Sequence, residues 1–479
     1  MRKRTPSPFT SFGCASVALV CWGAVACTKD SRGGVDVTDS NRDASVQPDG
    51  GEDASQTKPD AQVKDSGNGG GGGGPADAQT DGQVVAGSGD GEEDGGGPKP
   101  IDPTQVCAVA AEFSEFSQGV VFNDEGGFVL TPGTTGFGVV FRTDVNDGLS
   151  TLPVAATGTY REPNALFGTG GIKIQDLSLL HVSGGFRMTW VDNSADSREL
   201  QTILLSDALQ SPSDMQPTRV TNNQRREERP IQADIGTHSY LAWLSLDPAG
   251  ANPEIAILQN GETSEPRTLL AADLGFSPTR FAISQVGKEN GALVFVSETK
   301  KPGIWLLPLD NGGLPVSAPV LLSNAVSTGN SIDIAARPAD GGAIVYSTDV
   351  SGDNDVRFRR VDANGKVISD EIKLISNPWH ARDAGVARIG DSYVVAFRTL
   401  PAEGEMRGEI RLIFVTKEGN VQRDSAGRLI TVLITDASPT GGRVSVRVSN
   451  DGQLLLGFVD DTASGSKLRL IRKRLDCAL

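Results

Sequence analysis

Residues 331–376 contain, in succession, SIDIAARP (331–338), GGAIVYSTD (341–349), DVRFRRVDANGKV (355–367) and SDEIKLIS (369–376). Each is a short run rich in Val, Ile, Leu or aromatic residues and bounded by Gly, Pro, Asp or Ser, which predicts four strands. DANG at 362–365 predicts a tight hairpin turn, because Gly365 can take a positive φ at no steric cost. The second run is apolar without alternation, the pattern of a strand buried on both faces.

That second run recurs. GFGVVFRTD, GGFRMTWVD, HSYLAWLSL, GALVFVSET, GAIVYSTDV, SYVVAFRTL and GQLLLGFVDD each close on an aromatic: Phe141, Trp190, Trp243, Phe295, Tyr346, Phe397 and Phe458. Successive aromatics are about fifty residues apart, a period that has to be read as repetition before any domain count is made from length. Turns like DANG recur as LDNGG, LQNGE and TKEGN. Four strands per unit and seven units resemble a seven-bladed β-propeller, and the resemblance covers nearly all of 105–479. The implied fold is all-β, with four-stranded blades around a central channel. The Trp-Asp signature of WD40 blades, the Tyr and Trp spacing of kelch repeats and the Ser-x-Asp-x-Gly-x-Thr-Trp box of sialidase-type blades are absent, so no subfamily is assigned.

The seventh unit supplies only three strands, RVSVRVSND, GQLLLGFVDD and SKLRLIRKRLDC. The apolar segment QVCAVAAEF before the first unit is the expected fourth, an N-terminal strand that closes the last blade. Cys107 on that segment and Cys477 on the last strand would then be neighbours, and a disulfide between them is expected.

The chain begins MRKRTPSPFT, followed by an apolar run too short to span a bilayer of about 30 Å, which predicts a signal peptide over 1–26. Ala24-Val25-Ala26 before Cys27 resembles the lipobox of bacterial lipoproteins, and the resemblance implies an acylated Cys27. Parity agrees: of five cysteines, cleavage discards Cys14 and Cys21, and acylation of Cys27 leaves one pair. Residues 27–104 hold no Phe, Trp, Tyr or Leu after the cysteine and are rich in Gly and Asp. They predict a disordered acidic tether spanning about 50 Å. The implied location is the cell envelope, at the outer membrane or cell surface, with the membrane as a partner through the lipid anchor.

With +3 in residues 1–26 and −10 in the tether, the net charge of −16 leaves −9 for residues 105–479, which, with no basic stripe carrying interleaved aromatics, argues against nucleic acid. No HExxH, paired CxxC, Walker loop or GxSxG is present, and the three histidines, His181, His238 and His380, are scattered. GTGGIK from Gly168 lacks the strand-turn-helix setting of a dinucleotide site. No cofactor is expected, although DVSGDND (349–355) offers clustered oxygens of the kind calcium takes.

Two charge patterns follow the repeat. Loops after the aromatic runs carry acids: Asp144, Asp147, Asp192, Asp196, Asp247, Glu298, Asp349, Asp353, Asp355, Glu403, Glu405, Asp460 and Asp461. Before each aromatic, where the innermost strand enters the channel, stand Asp176, Arg229, Arg280, Asp333, Asp383 and Arg443, with Gly127 in unit one. These six are either ion pairs between blades or a polar funnel for a protein or glycan ligand. The expected function is a monomeric, surface-displayed binding or scaffolding module without enzymatic activity. The alternative is a glycan-active or other hydrolase that uses carboxylates at the channel mouth.

Overall fold

The computed structural model describes residues 108–476 apart from short intervening segments; residues 1–107 and 477–479 lie outside the described part. The expected signal peptide, the tether, and Cys27, Cys107 and Cys477 all fall there.

Seven antiparallel sheets form a ring, as the repeat predicts. Blade 5 shows how the sequence builds one. Its strands run Ile332–Arg337, Gly341–Val350, Asp353–Val361 and Ile372–Lys373, each hydrogen-bonded to the next. At the turn, Gly365 has φ 75° and donates its N–H to Asp362 O at 3.0 Å. Gly341 opens the second strand at φ 113°, and a Cβ there would lie 1.9 Å from Val361 O. Only glycine fits both the dihedral and the space.

The unbroken apolar runs have a direct cause. Within Gly341–Val350, Ile344 and Tyr346 pack toward blade 4 while Ala343 and Val345 pack toward blade 6. A strand between two blades has two cores, so both sets of alternating side chains must be apolar. The seven marker aromatics all lie on second strands and are at most 1% exposed.

Each interface between neighbouring blades has its own apolar cluster. The smallest joins blades 2 and 3 through Val191, Leu200, Leu241, Trp243 and Ala256. Polar groups fill out that seam. Glu199 accepts hydrogen bonds from Thr221 Oγ1 at 2.5 Å and Asn223 N at 3.1 Å, and Asn223 Nδ2 donates to the fully buried Glu227 at 2.9 Å. Arg225 donates to Ser245 Oγ at 2.7 Å and pairs with Glu254 at 3.1 Å.

The innermost strands are Phe128–Gly133, Ile174–Val182, Arg226–Ile235, Pro278–Gln285, Ile332–Arg337, Ala381–Ile389 and Val444–Val448. Each packs against its two neighbours, and the last packs against the first, closing the circle. Blade 7 is completed from the other end of the chain, as expected. Ala108–Val109 and Ser114–Gly119 both pair with the last strand, Gly465–Asp476. The fourth strand is therefore two short pieces rather than one.

Candidate functional site at the channel mouth

In blades 2, 3, 4 and 6 the pairing of the innermost strand with its neighbour is interrupted near its start. The breaks fall between Gln175 and Leu177, Glu228 and Ile231, Pro278 and Arg280, and Arg382 and Gly385. Each break is a bulge at or beside one of the charged positions singled out in the sequence. Asp176, Arg229 and Asp383 have φ of 39°, 53° and 54°. Backbone in this region costs about 1–3 kcal/mol for a residue with a Cβ, and a bulge of this kind re-aims a side chain at the rim of a sheet. Blade 5 is regular at Asp333, Arg443 stands just before the strand of blade 7, and Gly127 of blade 1 presents no side chain.

Asp176, Arg229, Arg280, Asp383 and Arg443 line one cavity at the mouth, together with Ser331. Below it, sharing Leu177, Pro230, Ile231 and Arg443, the channel continues for about 390 Å³ and includes Asp333. The structure thus brings five of the six charged residues to the mouth and sets Asp333 one level deeper.

The inner strands are also stitched sideways. Asp176 Oδ2 accepts the Arg229 N–H at 2.8 Å, and Ser178 Oγ accepts the Gln232 N–H at 2.9 Å, both from blade 2 to blade 3. From blade 5 to blade 6, Ser331 Oγ accepts the Ala384 N–H at 2.7 Å and Asp333 Oδ2 the Val386 N–H at 3.1 Å. Asp333 is 4% exposed and also meets Arg447 at 3.2 Å and Arg443 at 3.8 Å. Its contacts are those of an interblade tie, and it holds Arg443 in place.

Asp383 lies 3.4 Å from both Arg382 Nε and Arg398 Nε. Arg398 is fully buried and donates to Val459 O at 2.8 Å and to Ser438 O, binding blade 6 to blade 7. Burial pulls the Arg398 guanidinium below its ordinary value, and Asp383 works against that shift. Neither Arg398 nor the serine ties follow the charge pattern in sequence. The only signal is the spacing Asp176-x-Ser178 and Ser331-x-Asp333, which puts two acceptors on one face of a strand.

Among the described loop acids, Asp247, Asp355 and Asp460 are held in a turn or in ion pairs, while Glu298 and Asp461 accept hydrogen bonds from Thr279 and Ser466. Asp355 is held by Arg357 at 3.3 Å and Lys373 at 2.7 Å, and Asp460 by Arg469 at 3.1 Å. Asp247 accepts the Ala251 N–H at 2.7 Å within its own turn, which lowers its pKa. Of the calcium candidate 349–355, the described side chain is that of Asp355; Asp144, Asp147, Asp196, Glu403, Glu405, His380 and Gly168 lie outside the described residues. Among the described residues no group of three or more His, Cys, Asp or Glu is placed to hold a metal ion. At the far end of the blade 2 inner strand, His181 Nε2 is 3.1 Å from Thr134 Oγ1 and 3.3 Å from Asp207 Oδ1. Both contacts use the same ring nitrogen, so the three are not a relay from nucleophile through imidazole to carboxylate.

No family model and no curated protein matches the sequence. Solved structures do resemble the fold. A prolyl endopeptidase is 12% identical over 72% of this chain and 46% of its own, with a TM-score of 0.42. This chain therefore spans less than half of that protein's length. An endo-arabinanase of Bacillus licheniformis is 13% identical over 62% of this chain and 92% of its own, with a TM-score of 0.32. A sialidase of Trypanosoma rangeli is 14% identical over 66% of this chain and 56% of its own, with a TM-score of 0.39. These neighbours are hydrolases by name, which stands against the binding or scaffolding module without enzymatic activity expected from the sequence; likeness of this degree shows the fold alone.

Proposed function

We propose that this chain is a hydrolase that acts on a glycan at the channel mouth, with Asp176 and Asp383 as its working carboxylates. The observation that carries the reading is the set of left-handed bulges at Asp176, Arg229 and Asp383, all lining one cavity. Three costly backbone conformations at equivalent positions of three blades are accounted for by what they do to the side chains, which is to turn them into the mouth. Hydrolysis needs one carboxyl group to give a proton to the leaving oxygen and another to take one from water. Asp176 and Asp383 stand on blades 2 and 6, so a substrate seated between them meets a carboxyl group from either side. Arg229, Arg280 and Arg443 supply fixed positive charge for binding, with Arg443 steadied by Asp333.

Release of reducing ends from a panel of polysaccharides tests this. Asp176→Asn keeps the oxygen that accepts the Arg229 N–H and removes the carboxyl chemistry. The expected result is a loss of kcat of about 10²-fold or more, with the melting temperature unchanged. Full activity in both Asp176→Asn and Asp383→Asn would remove these residues from the reaction.

The same proposal places the domain at the cell envelope on a lipid anchor at Cys27, supported by the lipobox resemblance and the cysteine count. Three acyl chains hold a protein at a membrane where one is marginal. Mass spectrometry of the N-terminal peptide should find Cys27 acylated, and a plain thiol there would mean secretion without an anchor.

A further inference from the structure

We infer that Asp383 is the general base of the reaction and that Arg398, buried behind it, is the positioning residue that keeps it ionised; the inference rests on the hydrolase reading and divides the work between its two carboxylates. Asp383 sits in the bulge between Arg382 and Gly385, and Arg382 pairs across the strands with Arg398. The two guanidiniums therefore flank the carboxylate, each with its Nε 3.4 Å from Asp383 Oδ2. Asp176 is met instead by a main-chain N–H, that of Arg229 at 2.8 Å. Two whole opposite charges at this distance favour the ionised carboxyl more than one amide dipole does.

Arg398 is anchored independently of Asp383. It is fully buried, and its terminal nitrogens donate to Ser438 O, to Val459 O at 2.8 Å and to Gly442 O at 3.4 Å. Those carbonyls belong to blade 7 and to the segment leading into it, so the guanidinium is fixed by the neighbouring blade and places the carboxylate. It keeps its proton at any working pH even though burial lowers its pKa. The other charges around Asp383 leave this sign in place. Arg443 of blade 7 lines the same cavity, while Asp333 of blade 5 is turned to Val386 N and Arg447. Asp460 and Asp461 act on Arg398 from blade 7, but less than Asp383 does. The second and third strands of blade 5 pack toward blade 6 with Ala343, Val345, Val356 and Phe358, which carry no charge. Burial opposes ionisation, since Asp383 is 9% exposed, but it stands at the edge of a cavity with two fixed cations against it.

In the reaction, water gives a proton to Asp383 as its oxygen bonds to the anomeric carbon. The bond from that carbon to the leaving oxygen breaks, and the leaving oxygen takes its proton from Asp176. One proton moves onto Asp383 and one off Asp176, and exchange with solvent resets both.

Carbon NMR of the full chain labelled at aspartate Cγ, with the Asp383 signal identified by its loss in Asp383→Asn, tests the ionisation without turnover. Asp383 should remain a carboxylate down to about pH 4, near the value of a free aspartate. In Arg398→Gln it should take up its proton about one pH unit higher or more. Arg398→Lys, which keeps the charge, should titrate near wild type. The acid limb of kcat/KM, on whichever polysaccharide of the panel is hydrolysed fastest, should move up in Arg398→Gln by the same amount, which loss of a structural tie alone would not cause. A carboxyl at position 383 still protonated at pH 6 in wild type overturns the inference and needs no variant to fold. An Arg398→Gln titration equal to that of wild type also overturns it. Failure of wild type to hydrolyse any polysaccharide sinks the hydrolase reading and the base with it. Hydrolysis whose acid limb stays in place in Arg398→Gln overturns the inference alone.

Discussion

Glu227 shows how one residue can set the pH response of a whole interface. It is fully buried in the seam between blades 2 and 3, where the apolar cluster is smallest. Burial pushes its carboxyl above the ordinary 4.5, the hydrogen bond from Asn223 and the polar groups of Ser245 and Trp243 nearby pull back, and the nearby Glu199 adds to the rise. A carboxyl raised in the folded state binds its proton more tightly there than in the unfolded chain. Its contribution is therefore complete below pH 4.5 and is lost as pH climbs through the folded value. Glu227→Gln, which resembles the protonated form, should be more stable than wild type at pH 8 by about 1–2 kcal/mol, the scale of a poorly compensated buried polar group. The gap should close toward pH 4. Melting curves across that range decide it: a gap that does not vary with pH would show that Glu227 does not titrate against folding.

At the scale of elements, the strands and turns were legible because their causes are local. The second strands announce themselves by unbroken apolar runs, since each faces two cores, and the turn at 362–365 by a glycine that must take φ 75°. The charges at the starts of the inner strands were legible as a pattern, but the bulges under Asp176, Arg229 and Asp383 were not. A bulge is fixed by how a strand meets its neighbours, and Asp176 accepts an N–H from Arg229, fifty-three residues away in sequence. For the same reason Asp333 reads like the other mouth residues in sequence and differs from them in space. Its blade is regular there, so the carboxylate stays in the strand register and turns to Val386 N and Arg447. Arg398 had no sequence signal at all, because the carbonyls it binds, Ser438 O and Val459 O, come from distant parts of the chain. The function expected from the sequence failed for a related reason. Few aromatics and many strand-forming residues describe the scaffold, and a site grafted onto a scaffold is decided by a handful of positions.

For the whole molecule, the weak point of a ring is where it is closed. Every other blade is built from consecutive strands, so only blade 7 joins distant ends of the chain, through Ala108–Val109 and Ser114–Gly119 on Gly465–Asp476. Side chains reinforce that seam. Phe116 meets the rings of Phe141 and Tyr160 at centroid distances of 6.3 and 5.7 Å, and Tyr160 donates to Leu470 O at 3.3 Å. Two strands of two and six residues are nonetheless a short closure. In sequence, Cys107 and Cys477 each stand one position beyond the paired residues Ala108 and Asp476. With Cys27 acylated they are the remaining pair of an exported protein, and we propose that they form a disulfide. A bond there would act on the unfolded chain by closing a very long loop, and on the folded one by keeping the terminal strands from fraying. Replacing both cysteines with serine should cost about 2–4 kcal/mol and lower the melting temperature by roughly 3–5 °C. Limited proteolysis should then gain a cut between residues 108 and 114 that the wild type resists, because the two-residue strand loses its tie. A non-reducing peptide map in which both thiols take up alkylating reagent would rule the bond out, and closure would rest on the strand pairing and the Phe116 contacts alone.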